Sequence, residues 1–313
     1  MNTWKMIVNP ASASEKTRHT WMDSLDMLTR GGLQVDSVVT ERPGHAIDLA
    51  REAAAQGYRN FIAVGGDGTI HEVMTGLLRE ADAKGLDLGD FTLAVLPYGT
   101  GNDWIKTAGI PKDMARATRC ILEGRMSRED VVRLTFENGV FCMANVGGVG
   151  LDADICHYTN SLKKKGYKGD LLYKLVAPYS VLSMKRYPVE IACDGETLYK
   201  GRLFSAVFAN GVFRGGGVRQ NEEGGRWDDG LLEVSIMGDV SHLKAVQLMT
   251  HALTGDFARQ PGIITRRFKK MTVTPLGTPH RVESDGETPG ILPLTVELTG
   301  QQIRLVVSQE SNG

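Results

Sequence analysis

The sequence lacks any long apolar run. No segment approaches the about 18 uninterrupted apolar residues of a membrane span, so none is expected. No leader is expected either. The opening MNTWKMIVNPAS has one lysine and a short apolar run, without the length or cleavage pattern of a signal peptide. Charge of one sign is missing too. Lys and Arg total 36 against 37 Asp and Glu, a formal net charge of -1, which argues against a nucleic-acid partner because such proteins carry a basic excess. Cysteine is scarce. Cys120, Cys142, Cys156 and Cys193 have no zinc-like spacing and suggest no disulfide framework, so they read as reduced, mostly buried thiols. No internal repeat or low-complexity linker is present. These absences point to a cytoplasmic globular protein, with a peripheral contact at the inner face of a membrane still open to it.

Length is the first positive signal. A chain of 313 residues exceeds the usual size of one domain and predicts two. Over the first 125 residues or so, apolar strand-like runs (WKMIVNP, LQVDSVVT, NFIAVGG, FTLAVLPYG) alternate with segments of helical period (TWMDSLDMLTRGG, GHAIDLAREAAAQG, IHEVMTGLLREAD). That alternation predicts a parallel sheet covered by helices, with ligands at the carboxyl ends of the strands. After Gly124 the texture becomes strand-rich. DVVRLTFENGVFCMANVGG predicts a hairpin turning at Asn138-Gly139, and CDGET another at Asp194-Gly195. Helices are expected around residues 169–184 and 241–254. The predicted fold is therefore α/β: an α/β domain over residues 1–126 and a mostly antiparallel β domain over 127–299. The boundary falls near Glu123–Arg128.

Four stretches carry chemistry. Gly65-Gly66-Asp67-Gly68-Thr69 follows an apolar strand and opens a helix. Such a turn aims backbone N–H groups at an anion. Asp67 repels bare phosphate, so it suits a phosphate-bound Mg²⁺ or a hydroxyl; capping the next helix is the plainer alternative. PYGTGND supplies Gly99, Thr100, Gly101, Asn102 and Asp103 in a second strand-to-helix turn. NGVFRGGGVRQNEEGGRWDDGLLEV brings Gly215-Gly216-Gly217 and then Asp228-Asp229-Gly230, where carboxylates could meet a hard cation or simply face water. VESDGETPG places Asp285-Gly286-Glu287 between strand-like runs, which alone reads as a hairpin turn.

In this order, GGDGT with IHEV, PYGTGND, GGG with DDGLLEV, and DGE resemble the diacylglycerol kinase catalytic family of lipid kinases, the bacterial soluble members most closely. GGDGT alone is shared with NAD kinases; the ordered set is far more specific and runs from Asn9 to Val307. The resemblance implies an ATP-binding α/β domain, a C-terminal β-sandwich-like domain, and an active site in the cleft between them, with a last segment, about 300–313, returning to the first domain. It implies ATP and Mg²⁺ as cofactors, and phosphorylation of a lipid hydroxyl. By carry-over, Asn9, Pro10 and Thr40 line the nucleotide site. Gly66, Asp67, Gly68 and Thr69 serve the phosphates and catalytic Mg²⁺, and Glu72 buttresses their loop. Thr100 and Asn102 form the second nucleotide turn. Asp229 holds a structural metal with the carbonyls of Leu231 and a residue near Arg226. Glu287 is the general base. A carboxylate within reach of the acceptor hydroxyl takes its proton as attack proceeds, so Glu287 is expected to face Asp67 across the cleft.

Some residues depart from the family pattern. The first turn reads Asn9-Pro10-Ala11-Ser12 without the usual glycine, which weakens the backbone contact to phosphate there. His71 stands where many bacterial relatives carry Asn and reads as a helix-surface residue. RQNEEGGRW replaces an apolar, proline-containing loop, which makes the ligand near Arg226 the weakest correspondence. Residues 162–186 carry seven basic residues and one acid among tyrosines and leucines, which suits either an anionic membrane surface or a solvated helix face. Arg266-Arg267 and Lys269-Lys270 read as charge protecting a strand edge. The partners implied are ATP and a lipid presented at a membrane; a homodimer is compatible with the sequence. The lipid itself is open among diacylglycerol, phosphatidylglycerol, an isoprenoid alcohol and a sphingoid base. Two other readings share these motifs. One is a soluble-substrate kinase of the NAD kinase type, against which PYGTGND and DDGLLEV argue. The other is a catalytically silent nucleotide- or lipid-binding regulator, favoured by the altered first turn and opposed by intact Asp67, Asn102 and Glu287.

Overall fold

The structure is a computed structural model that describes residues 3–12, 20–98, 102–165, 176, 179–181, 185–214, 218–219, 226–254 and 257–308. The first half alternates strands and helices. β1 (Trp4–Val8), β2 (Val35–Val39), β3 (Asn60–Gly65) and β4 (Thr92–Pro97) lie parallel in the order β2-β1-β3-β4. β3 and β4 are buried along almost their whole length, as the apolar runs of a sheet covered on both faces must be. The covering helices are α1 (Trp21–Arg30), α2 (His45–Ala55), α3 (Asp67–Lys84), α4 (Asp103–Thr107) and α5 (Met114–Glu123). α2 turns Ala46, Ala50, Ala53 and Ala54 inward. Its backbone lies so close to α3 that a β-carbon on Gly76 would stand 2.4 Å from the Ile47 carbonyl oxygen, so glycine is required where the two helices touch.

The second half is built from β5 (Met126–Phe136), β6 (Gly139–Met143), β7 (Val146–Gly150), α6 (Leu151–Lys164), β8 (Tyr187–Cys193), β9 (Glu196–Leu203) and β10 (Ser205–Ala209). The short pair β11 (Phe213–Arg214) and β12 (Val218–Arg219) follows, then β13 (Leu232–Met237), α7 (His242–Thr254), β14 (Ile263–Phe268), β15 (Lys270–Pro275), β16 (Arg281–Ser284), β17 (Glu287–Ile291) and β18 (Leu294–Val306). A six-stranded antiparallel sheet runs β14-β13-β10-β7-β16-β17. The Asp194-Gly195 turn forms with both residues at positive φ, 49° and 89°. The β5–β6 turn uses Glu137 and Asn138, with Gly139 paired to Phe136, one residue earlier than the sequence suggests.

The parallel sheet does not stop at β4. β18 pairs parallel with β4 through Arg304 and Leu305, and antiparallel with both β5 and β15. Strands β15, β8 and β9 extend the same sheet to ten strands, with β5 and β6 branching from β18. One apolar core, including Phe61, Leu93, Trp104 and Leu305, fills the α/β half. A second, including Val132, Phe208, Ile236 and Phe268, lies between the two sheets of the other half. No helix among the described residues is long and apolar enough to cross a membrane. Most of the helix expected at 169–184, and the Gly215-Gly216-Gly217 segment, lie outside the described residues.

Candidate active site

The site begins where β1 and β3 end side by side. The Asn9 N–H donates to the Val64 carbonyl at 2.9 Å, and the Asn9 amide donates to Thr69 Oγ1 at 3.1 Å. Asn9 Oδ1 accepts the Ala11 N–H, so the turn through Pro10 closes on its own side chain. Thr40 follows β2, and its N–H reaches the Val8 carbonyl at 2.8 Å. Asn9, Pro10, Thr40 and Thr69 therefore gather at one end of the parallel strands, where α/β sheets bind ligands.

The glycine turn is shorter than the sequence suggests, because α3 starts inside it. Gly66 is the cap, and Asp67, Gly68 and Thr69 form the first helical turn. Asp67 does not cap its own helix. Its carboxylate accepts the N–H groups of Asp103 and Trp104, at 3.0 and 3.1 Å, at the start of α4. Asn102 precedes them, buried and left-handed at φ 51°. Thr100, with Gly99 and Gly101, lies outside the described residues. Burial pushes the Asp67 carboxyl up to about 6; the nearby charges of Asp103 and Asp285 push the same way, and the two N–H donors pull back.

Glu287 is the first residue of β17 and is exposed. A β-carbon on Gly68 would stand 2.9 Å from Glu287 Oε1 and 3.3 Å from its Cγ. The last of the four sequence stretches thus meets the first. Glu72 sits elsewhere: it accepts the N–H groups of Gly44 and Ala46, at 2.9 and 3.1 Å, and caps α2 across from α3. It steadies the segment after Thr40 rather than the glycine turn.

His71 corrects the reading from sequence. It is no surface residue. Its side chain is 3% exposed, stacked on Phe141, and lies with Nδ1 3.1 Å from Asp285 Oδ2. α3 is covered on more than one side, by α2 and by β6, so a polar residue on what looks like its outer face is enclosed.

The expected structural metal position is composed differently. Asp229 Oδ1 accepts the Leu231 N–H at 3.1 Å, and Oδ2 pairs with Arg267. The Arg226 side chain pairs with Asp228. A metal at Asp229 would have to displace the Arg267 guanidinium, so the carboxylate is paired here with a cation that the chain itself supplies.

Sequence reasoning missed the polar chain behind Asp67. Trp104 Nε1 donates to both oxygens of Glu129, at 3.1 and 3.2 Å, and the Glu129 side chain is wholly buried. Burial holds its carboxyl well above the usual range, aided by Asp285 and Asp130, with hydrogen bonds from Trp104 and Asn210 opposing. The Asn210 amide donates to the Asp130 carbonyl, and Asp130 accepts from Gly230 N–H and the Gln302 amide. Asp67 is thereby linked through α4 to the segment containing Asp229. The charges of Asp103 and Asp285 disfavour the ionised form of Asp67, and a cation beside it would offset them, so its surroundings suit a phosphate-bound Mg²⁺.

Comparison with known proteins bears on the family and the fold. A profile described as the diacylglycerol kinase catalytic domain matches residues 3–134, and one described as the YegS C-terminal NAD kinase beta sandwich-like domain matches 145–307. The diacylglycerol kinase of Bacillus subtilis (strain 168) is 28% identical over 313 residues, covering 99% of this chain and 98% of the relative. That of Staphylococcus saprophyticus is 27% identical over 291 residues, covering 92% and 90%. Among solved structures, a diacylglycerol kinase from Bacillus anthracis str. Sterne superposes with a TM-score of 0.69 at 20% identity, covering 98% of this chain and 97% of that one. A second structure from the same organism reaches 0.77 at 23%, with 99% of each chain covered, and shows the shared fold.

Proposed function

The chain belongs to the diacylglycerol kinase catalytic family of lipid kinases, and from that premise we propose that it transfers the γ-phosphate of ATP to a hydroxyl of a diacylglycerol-like lipid, with Mg²⁺. The observation that carries the finer reading is Glu287 lying against Gly68 in the turn that contains Asp67. Residues 1–126 would bind the nucleotide and 127–299 the lipid, with the end of β18 built back into the first unit.

The roles follow from the chemistry. Phosphoryl transfer needs positioning and neutralisation of charge more than covalent help. The N–H groups of Asp67 and Gly68 open α3 ahead of its first carbonyl acceptors and suit the phosphates; Asn9 and Thr69 border them. Asp67 would hold the Mg²⁺ that bound ATP brings; the ion neutralises charge on the phosphates. Glu287 takes the proton from the acceptor hydroxyl and leaves it a better nucleophile. Asn102 shapes the second turn, and Glu72 keeps the loop after Thr40 in place. Arg267 neutralises Asp229 where the resemblance implied a metal. The lipid must reach the cleft from a membrane surface, and the basic stretch 162–186 would make that peripheral contact.

The test is transfer from labelled ATP into a panel of lipids in mixed micelles with Mg²⁺, with Asp67→Asn and Glu287→Gln beside the wild type. A labelled lipid lost in both variants supports the reading. ATP binding without transfer to any lipid favours a silent regulator, and transfer to NAD favours a soluble-substrate kinase.

A further inference from the structure

We propose that Asp285 and His71 are positioning residues that hold Glu287 at the phosphate turn, an inference that rests on Glu287 being the base. Glu287 begins β17 immediately after a two-residue turn, and that turn is fastened firmly. Asp285 and Gly286 are both left-handed, at φ 52° and 82°, a conformation that suits Gly286 and costs energy at Asp285.

The Asp285 side chain offsets that cost. Its Oδ1 accepts the N–H groups of Asn145 and Val146 at 2.8 and 3.1 Å. Its Oδ2 accepts the Ala144 N–H at 2.9 Å and the Ser284 hydroxyl at 3.1 Å, and meets His71 Nδ1 at 3.1 Å. Asp285 in turn donates its N–H to the Val146 carbonyl at 2.9 Å. A carboxylate among so many donors accepts from every side, so the His71 contact requires the proton on Nδ1. All of these partners except His71 belong to the β-rich half. His71 alone among them comes from α3.

That origin makes α3 a ruler. Gly68 and His71 are three residues apart, on one face of the helix and roughly 4.5 Å apart along its axis. Gly68 carries Glu287 against it; His71 grips the turn two residues before Glu287. The same helix therefore sets both the site and the distance of the carboxylate from it. Stacking on Phe141 keeps the imidazole plane aimed at Asp285.

The experiment compares His71→Phe, His71→Asn and Glu287→Gln in the full chain, measuring kcat and KM for ATP in the lipid assay. His71→Phe keeps an aromatic ring for Phe141 but has no N–H. Loss of about 1 Å of registration is expected to lower kcat about 10- to 100-fold, with KM for ATP within about twofold because the nucleotide turns are untouched. His71→Asn, whose amide restores a donor, is expected to recover most of that loss. In the background of Glu287→Gln, His71→Phe should cost little more, since a positioning residue has nothing left to position. If His71→Phe loses its cooperative melt, His71→Met, also without a donor, takes its place. A wild-type kcat in the donorless variant, or an additive loss in the double variant, overturns the assignment while leaving the base reading intact. Full activity in Glu287→Gln overturns both.

Discussion

Glu287 Oε1 stands 2.9 Å from the point that a β-carbon on Gly68 would occupy. Gly68 is in the first turn of α3 at an ordinary helical backbone, so its glycine is not demanded by φ. The space above it is what the glycine supplies. Gly68→Ala should therefore separate stability from activity. Alanine is the better helix former by roughly 0.5–1 kcal/mol, so the melting temperature should hold or rise. The methyl group displaces Glu287, and kcat should fall about 10-fold or more. A thermal melt beside an initial-rate assay checks both, and an unchanged rate would show that Glu287 has no fixed place over the turn.

The raised carboxyl of Asp67 predicts an acid limb. Its folded value of about 6 lies above the 3.8 of an exposed aspartate, mainly through burial. If the ionised form holds the cation, kcat/KM for ATP with Mg²⁺ should rise with pH through about 6 and level off above it. The stability term has the opposite sign. A carboxyl whose pKa is raised by folding favours the folded state while protonated, and that contribution declines as pH climbs from about 4 through about 6. Asp67→Asn should flatten the stability decline and abolish most of the activity. A kcat/KM that is constant from pH 5 to 8 would remove Asp67 from the metal role.

Glu129 should show the same linkage. Its carboxyl is held well above 4.5 by burial, so the neutral form belongs to the fold and stability falls as pH rises towards its folded value. Glu129→Gln retains an acceptor for Trp104 and no longer ionises. The difference in unfolding free energy between wild type and this variant, measured by denaturant across a pH series from the ordinary carboxylate range upward, should move in the variant's favour as pH rises. Glu129→Leu strands the buried Trp104 and Asn210 groups and should cost about 1–3 kcal/mol. A pH-independent difference would mean that Glu129 is ionised throughout.

Chelation should divide activity from stability. Removing Mg²⁺ should stop transfer, because ATP loses the ion that neutralises its phosphates. It should leave the melting temperature of the nucleotide-free protein unchanged, because Asp229 is paired with Arg267 and Leu231 N–H. A fall in melting temperature with chelator would restore a structural metal to this segment. Arg267→Ala should shift stability by no more than about 1 kcal/mol, as exposed ion pairs do.

The alternation of apolar runs and helical periods makes the parallel half legible, because a sheet covered on both faces demands continuous apolar strands such as FIAV and TLAVL. Asp285-Gly286 is legible as a turn, since left-handed pairs favour those residue types. The burial of the Asp285 carboxylate is not, because its donors come from residues 144–146, far away in sequence. His71 misleads for a related reason. Helical periodicity reports one buried face, and α3 is covered by α2 and β6 together, so its pattern underreports what is enclosed. Arg267 reads as edge protection, and β14 is indeed the outer strand of its sheet. Only the fold could show that its guanidinium also meets Asp229.

The seating of β18 beside β4 has a consequence for how the protein is made. On a ribosome, β1 to β4 and their helices emerge first, yet the strand that covers the open side of β4 is among the last described residues. Until it arrives, β4 presents unpaired backbone groups beside mostly apolar side chains, a ready template for pairing with another chain. A chain truncated after the family's first matched segment should therefore accumulate as an aggregating fragment. The full chain must pass through a stretch of synthesis during which its nucleotide half is shaped but unsealed, and that is where a chaperone or a slow translation pause would matter most.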